Sequence, residues 1–395
     1  MTDYDFDTVI DRRGTGSLKY DCAEQRGHSA DELPLWVADM DFRCPQPVID
    51  AMKKRADAGV FGYTEPDDAY FAAVKHWFQS RHGWTPHREW LTVTPGVVYA
   101  LACCVKAFAK PGEGVLIQPP VYYPFSEVVR DNGRGLVEAP LTYVEKYATY
   151  RCDFDVFERA IVDNDVKLFL LCNPHNPVGR VWSRFELKKL GDICAQHGVV
   201  VVSDEIHADF ARPGFQHTVF ATLGADYAQN AVICTAATKS FNLAGLQTSN
   251  IFIPNPELKA RFDHENAAAG YSQANIMGLT ATQAAYEEGG PWLDALKGYL
   301  DGNYGFLRSY LGEHAPQLKV IDLQSTYLVW VDCRALGLDD NALQELVEKK
   351  ARLWLDLGAV FGASGSGFVR FNIACPRSVL AEALCRLCTA IGEQG

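Results

Sequence analysis

The sequence predicts an α/β fold: a large lobe built on a mostly parallel sheet, joined to a smaller α+β lobe. Three observations carry this. Short apolar runs in the middle of the chain are continuous rather than alternating, as in strands covered on both faces. Helical stretches of crossover length lie between them, so each return strand runs parallel to the one before. The last third changes pattern, to long helices followed by two well-separated strands.

Each element is legible in order. The first forty-odd residues lack a strand–helix–strand pattern and are expected to pack with the small lobe. This places an N-terminal segment at 1–45, the large lobe at 46–290 and the small C-terminal lobe at 291–395. WLTVT (90–94) reads as a strand ending at Thr94, where Pro95-Gly96 turns into an apolar helix. The next strands are GVLIQ (114–118), VKLFLLCN (166–173), GVVVVSD (198–204), AVICTAAT (231–238) and NIFIP (250–254). SRFELKKLGDICAQHG (183–198) has a Ser start and a Gly stop, the signals of a capped helix. Segments 265–290 and 291–316 read as long helices. A strand STYLVWVD (325–332), a helix near 341–352, the strand GFVRFNIA (367–374) and a terminal helix complete the small lobe.

Composition narrows the function. The 395 residues are 48% hydrophobic and 22% charged, an ordinary globular balance with room for a large core and a cleft. The net charge of −12, with no basic stripe, argues against nucleic acid and anionic membrane as partners. The start, MTDYDFDTVIDRRG, is acidic and unlike a signal peptide. No apolar run reaches the roughly 18 residues of a membrane span. A cytoplasmic location is expected. The twelve cysteines then read as reduced core thiols. The one CxxC, Cys385 with Cys388, reads as a buried helix face. It has no second ligand pair for zinc, and no metal site is expected.

Four polar signals sit just past predicted strand ends, where open parallel sheets bind ligands. Gly96 and Val97 open a helix whose free N–H groups suit an anion, though a plain strand-to-helix turn has the same sequence. LLCNPHNPVGR (171–180) holds two Asn-Pro pairs that stiffen a loop, with Asn176 and Asn173 both available as ligands or as local hydrogen bonders. VVVVSDEIHADF (199–210) ends its strand on Asp204, a carboxylate that needs a cationic partner if buried. His207 follows, and alone it also reads as a structural histidine. TAATKSFNLAGL (235–246) places Lys239 in a small and apolar setting. Alone, that lysine either snorkels to solvent or is kept for a desolvated, reactive amine. The spacings from Asn176 to Asp204 and from Asp204 to Lys239 each suit one crossover helix and a return strand. Together they describe one site: an amine able to form a Schiff base, an acid for a protonated pyridine, and a helix start for a phosphate. Those are the needs of pyridoxal phosphate (PLP).

With these motifs the chain resembles the fold-type I PLP enzymes of the class I/II aminotransferase superfamily along nearly its whole length. Within it the chain is similar to the cystathionine β-lyase-type C–S lyases, the MalY/PatB group. DFDTVIDRRGTGSLKYD (5–21), LPLWVADMDF (33–42) and TKSFNLAGLQTSN (238–250) point to that branch; PPVYYPF (119–125), NPHNPVGR and SDEIHADF are shared more widely. The resemblance implies an aspartate aminotransferase-like fold. It implies that Lys239 binds PLP as a Schiff base and then moves protons, and that Asp204 pairs with the pyridine nitrogen. Asn176 would bond the phenolic oxygen with His207 nearby, and Tyr122 would stack on the ring, with Tyr123 the alternative facing the core. Gly96, Val97 and Thr238 would hold the phosphate. Tyr63 would reach the phosphate of a neighbouring subunit, implying a homodimer with shared active sites. Arg370 would fork onto the substrate carboxylate, with Tyr327 and Trp36 as further pocket residues. Many aminotransferases carry an arginine where this chain has Gln247. The implied reaction is α,β-elimination from L-cystathionine or a related S-substituted L-cysteine, giving a thiol, pyruvate and ammonia. The alternatives are amino transfer to a 2-oxo acid and, in a different class, regulation by protein contact.

Overall fold

The computed structural model describes residues 4–393. The apolar runs of the large lobe pair into one sheet of β1 (Leu91–Thr94), β2 (Gly114–Ile117), β3 (Gly135–Glu138), β4 (Val166–Cys172), β5 (Val200–Asp204), β6 (Ala231–Thr235) and β7 (Ser249–Phe252). Their spatial order is β1-β7-β6-β5-β4-β2-β3. The pairs from β3 through β6 are parallel, and β7 runs antiparallel to both β6 and β1. Six strands therefore end at one edge. The continuous apolar sequences follow from burial on both faces. Val115, Leu168, Leu170, Val202 and Val232 enter a core under the helix α1 (Val97–Phe108). Their neighbours Leu116, Phe169, Leu171, Val201 and Ile233 enter the core on the other face.

The crossover α2 (Arg184–Gln196) starts as its sequence signals. Ser183 Oγ accepts from Glu186 N, and the Glu186 carboxylate accepts from Ser183 N at 2.8 Å, a reciprocal capping box. The small sheet contains β8 (Lys319–Val320), β9 (Leu328–Asp332), β10 (Asp356–Leu357) and β11 (Phe368–Asn372), all antiparallel in the order β8-β9-β11-β10. Leu33–Pro34 pairs with Leu353–Trp354. Residues 36–42 then pass between the sheets without regular structure. The Asn372 amide donates to the carbonyls of Val37 and Asp39, both at 2.7 Å. From the other side Asn242 accepts from Met40 N and donates to the carbonyls of Met40 and Phe42, each at 2.9 Å.

Several expectations change. The strand expected over 231–238 stops at Thr235, and Lys239 sits in the short helix α3 (Ala237–Ser240). The helix α4 (Pro256–Ala268) ends well before α5 (Ile276–Glu288), so the long helix expected over 265–290 is broken. Gly270 adopts φ +79°, and the Asn275 side chain caps α5 by accepting from Met277 N at 3.0 Å. The helix α6 (Gly290–His314) follows. The strand expected from Ser325 begins at Leu328, because Thr326 has φ +76°. The helix near 341–352 is Asp340–Gln344 followed by a wider turn over Glu345–Lys350. The CxxC reading needs correction. The terminal helix α7 (Arg377–Gly392) buries Leu380, Ala383, Leu384 and Leu387, which turns Cys385 outward to an exposed position.

One close approach shapes the loop after α3. A Cβ on Gly278 of α5 would lie 1.8 Å from Thr248 Oγ1 and 3.0 Å from Leu246 O. Gly278→Ala is expected to cost about 1–3 kcal/mol by overpacking. Gly298→Ala, in open space on α6, should be neutral or stabilise by roughly 0.5–1 kcal/mol. Urea unfolding midpoints of the two variants check this.

Candidate active site

The common strand edge opens into a cavity of about 230 Å³. Its wall brings together Gly96, Val97, Tyr122, Asn176, Asp204, His207, Thr238 and Lys239. They arrive from the ends of β1, β4, β5 and β6 and from the loop after β2. Register explains part of this. Cys172, Asp204 and Cys234 are side by side across β4, β5 and β6, so the chain leaves all three strands at one level.

Each group is set by its local structure. Gly96 lies at φ +137°, a conformation that favours glycine, and starts α1 with no side-chain cap. The first N–H groups of α1 therefore face the cavity without helical partners. Asp204 is buried, and its Oδ1 accepts from Ile206 N at 3.1 Å. Burial pushes its carboxyl up to about 7, because the nearest cation, Lys239, offsets little of the desolvation. Lys239 keeps access to the cavity, but the protein packed around it desolvates its amine and lowers its pKa. The negative charge of Asp39 and the positive charge of Arg370 act on it in opposite directions. Lys239 Nζ donates to Ala38 O at 3.3 Å. Burial, with Lys239 and Arg370 nearby, drives the His207 imidazole down to about 3, so it is neutral. Its Nδ1 is buried without a partner.

The loop after β4 separates its two asparagines. Asn173 donates its side chain to Thr218 O at 3.1 Å, away from the cavity. Asn176 holds Tyr122 in place, its carbonyl accepting from Tyr122 N at 3.0 Å, and its Oδ1 accepts from Arg370 Nη1 at 3.0 Å. That leaves the Asn176 Nδ2 donor for a ligand. Tyr123 packs edge-on against Phe361 at 6.1 Å.

The remaining candidates take other places. Arg370, on β11, is only 2% exposed, which excludes a surface arginine. Its Nη2 donates to Trp36 O at 2.9 Å and pairs with Asp356, its neighbour across β10. Its Nε is buried without a partner. Tyr327 lies behind the wall, donating to Ala38 O at 2.8 Å with its ring beside His207. Trp36 stacks on Trp354 at 4.4 Å, and only its backbone carbonyl reaches the site residues. Tyr63 is 94% exposed and lies outside the cavity. Sequence reading missed Ala38, Thr248 and Asp356. Ala38 acts through its carbonyl and Asp356 through a cross-strand pairing, and neither leaves a signal in residue type. Gln247 lines the cavity at φ +46°. Among the described residues no arginine lies on this wall.

A family model for aminotransferase class I and II matches residues 30–387. The chain belongs to the aminotransferase class I and II family. Cystathionine β-lyase PatB of Bacillus subtilis (strain 168) is 45% identical over 386 residues, covering 98% of this chain and 99% of the relative. Protein MalY of Escherichia coli (strain K12) is 36% identical, covering 98% and 99%. The crystal structure of cystalysin from Treponema denticola, which contains a pyridoxal 5′-phosphate cofactor, superposes with a TM-score of 0.95. It is 38% identical, with 99% of this chain and 100% of that one covered. The fold expected from the sequence is the fold of that structure.

The raised Asp204 pKa has a sign that can be measured. An ordinary aspartate titrates near 3.8, and Asp204 in the folded, ligand-free protein near 7. Between these values the folded protein holds a proton that the unfolded chain has released. Stability contributed below about pH 4 is therefore lost as pH rises through about 7. Asp204→Asn is expected to remove this slope, narrowing the difference in thermal midpoint between pH 5 and pH 8.

Proposed function

We propose that this protein is a PLP-dependent C–S lyase acting on L-cystathionine or a related S-substituted L-cysteine. The observation that carries the reading is the meeting of a desolvated Lys239 amine and a buried, cation-seeking Asp204 on one cavity wall. The similarity to cystathionine β-lyase PatB supplies the branch.

The wall fits PLP. Asp204 needs a positive partner, which a protonated pyridine nitrogen supplies. The free N–H groups at Gly96 and Val97, with the hydroxyls of Thr238 and Thr248, suit a phosphate. With Gln247 in place of arginine, the phosphate charge falls to the start of α1 and these neutral donors. Asn176 Nδ2 is free to donate to the phenolic oxygen, with His207 beside it, and Tyr122 offers its face to the ring. When bound, PLP supplies the electron sink that stabilises negative charge at the substrate Cα.

This chain's own groups do the remaining work. Arg370 receives the substrate carboxylate as a fork, held by Asp356 and Trp36 O. Lys239, its pKa lowered, removes the proton from Cα as a base and returns it to the departing sulfur. Asp204 keeps the ring nitrogen protonated throughout. Aminoacrylate leaves and hydrolyses to pyruvate and ammonia. An amino-transfer enzyme would share the first proton removal but need a 2-oxo acid to turn over.

Two further readings follow. The exposed run of Val60, Phe61 and Tyr63 supports a homodimer in which Tyr63 reaches the partner's phosphate site. The twelve free cysteines support a reducing, cytoplasmic location, and among the described residues no helix is long and apolar enough to cross a membrane.

Purified enzyme given L-cystathionine without a 2-oxo acid should release pyruvate and free thiol; strict dependence on an added 2-oxo acid would overturn the lyase reading. Lys239→Ala should abolish turnover and the lysine-linked PLP absorbance. Arg370→Lys should raise KM about 10–100-fold through loss of the bidentate contact.

A further inference from the structure

Two histidine–carboxylate pairs lie behind the cavity wall, and the chemistry above uses neither. Glu205 accepts from His217 Nε2 at 2.9 Å, from Phe220 N at 2.9 Å and from Ser203 Oγ at 2.8 Å. Asp209 accepts from His82 Nε2 at 2.8 Å and from Trp77 Nε1 at 3.2 Å, both on the helix Asp68–His82. Its other oxygen accepts from Ser240 Oγ. Burial pushes the Asp209 carboxyl up, but His82 and Ser240 outweigh this and hold it below the usual range, so it stays ionised. The two pairs differ in reach. Glu205 bonds its own strand and residues 217–220, whereas Asp209 bonds the residue that follows Lys239.

The helix α3, which carries Lys239, has four residues and no side-chain cap. A helix this short does not hold its own shape, so its setting comes from contacts outside it. The Phe241 ring that follows packs against Trp77, Tyr286 and Trp292. Apolar packing of this kind is non-directional. Among the described residues, Ser240 makes the only side-chain hydrogen bond of α3 apart from that of Lys239 itself. A bond to a charged acceptor is both strong and directional. Asp209 lies on the loop that begins at Asp204. One carboxylate thus ties the helix of the amine to the segment that bears Asp204. We infer that Asp209 is a positioning residue, which through Ser240 sets the Lys239 amine against Asp204. The charges that act on the amine are those of Asp39, Arg370 and Asp204, so Asp209 works through placement. The inference rests on Lys239 being the reacting amine of the proposed lyase. A displacement of about 1 Å at a reacting group costs up to roughly 100-fold in rate.

The test uses the full chain freed of PLP and the reloaded holoenzyme. Ser240→Ala removes one oxygen and leaves Asp209 its bonds to Trp77 and His82. It should slow covalent capture of PLP, followed by the lysine-linked absorbance, about 10-fold. Pyridoxine 5′-phosphate lacks the aldehyde and cannot bond Lys239 covalently, so its affinity should stay within about 2-fold. In the holoenzyme, kcat for L-cystathionine should fall about 10-fold with KM within about 2-fold. Asp209→Asn should slow capture at least as much, and the double variant no more than Asp209→Asn, because both act through one bond. Losses that multiply in the double variant overturn the inference. So does a lowered thermal midpoint with capture and kcat unchanged, which would make the bond merely structural. An equal loss in PLP capture and in pyridoxine 5′-phosphate affinity also overturns it, since the damage would then lie at Asp204 or the phosphate site. Should the wild-type enzyme release no pyruvate from L-cystathionine, the lyase reading fails, while the comparison of PLP capture with pyridoxine 5′-phosphate binding still decides the role of Asp209.

Discussion

The site depends on a strip of chain that has no strand or helix to satisfy it. Residues 36–42 run between the two sheets, and their buried backbone groups must be paired individually. The small sheet supplies Asn372, and the loop after α3 supplies Asn242. Asp41 N donates to Ala374 O, Ala38 O accepts from Lys239 and Tyr327, and Trp36 O accepts from Arg370. The need to close hydrogen bonds on an irregular segment thus helps to position the Lys239 amine and the Arg370 guanidinium.

The second organising constraint is electrostatic. Asp204 ends a buried, mostly apolar strand, and no side chain packed against it brings enough positive charge to settle its ionisation. A buried acid of this kind is stable chiefly as an acceptor awaiting a cation. His207 is subject to the opposite pressure, kept neutral by the same burial and by neighbouring positive charge. The charge states of Asp204 and His207 are therefore set by surroundings rather than by residue type.

Much of this was legible in the sequence, for physical reasons. Strands covered on both faces cannot hide their composition, so β2, β4, β5, β6 and β7 were placed to within a few residues. Their ends were overestimated where the apolar run continues into a helix, as at Ala236–Ala237, or begins after a glycine at positive φ, as at Gly198. Asp204 and Lys239 stood out because each breaks an apolar pattern, and Asn176 because it belongs to paired Asn-Pro steps after a buried strand. The choice of Asn176 over Asn173 rested on the resemblance, and the structure adds the contact with Thr218 that ties up the other amide. Trp36 is a different case. Its residue type suggested a pocket wall, whereas its ring stacks on Trp354 and its carbonyl does the contacting. Backbone carbonyls and cross-strand pairs such as Asp356 with Arg370 depend on three-dimensional register, which a pattern of residue types does not encode.

Arg370 spends one of its N–H groups on Asn176, the amide proposed to bond the cofactor ring. Arg370 belongs to the small sheet and Asn176 to the loop that leaves β4 of the large one. On the proposed function, a carboxylate arriving at the guanidinium meets an arginine already bonded to that amide. A single side-chain bond thus ties the small sheet to the loop that leaves β4 of the large one.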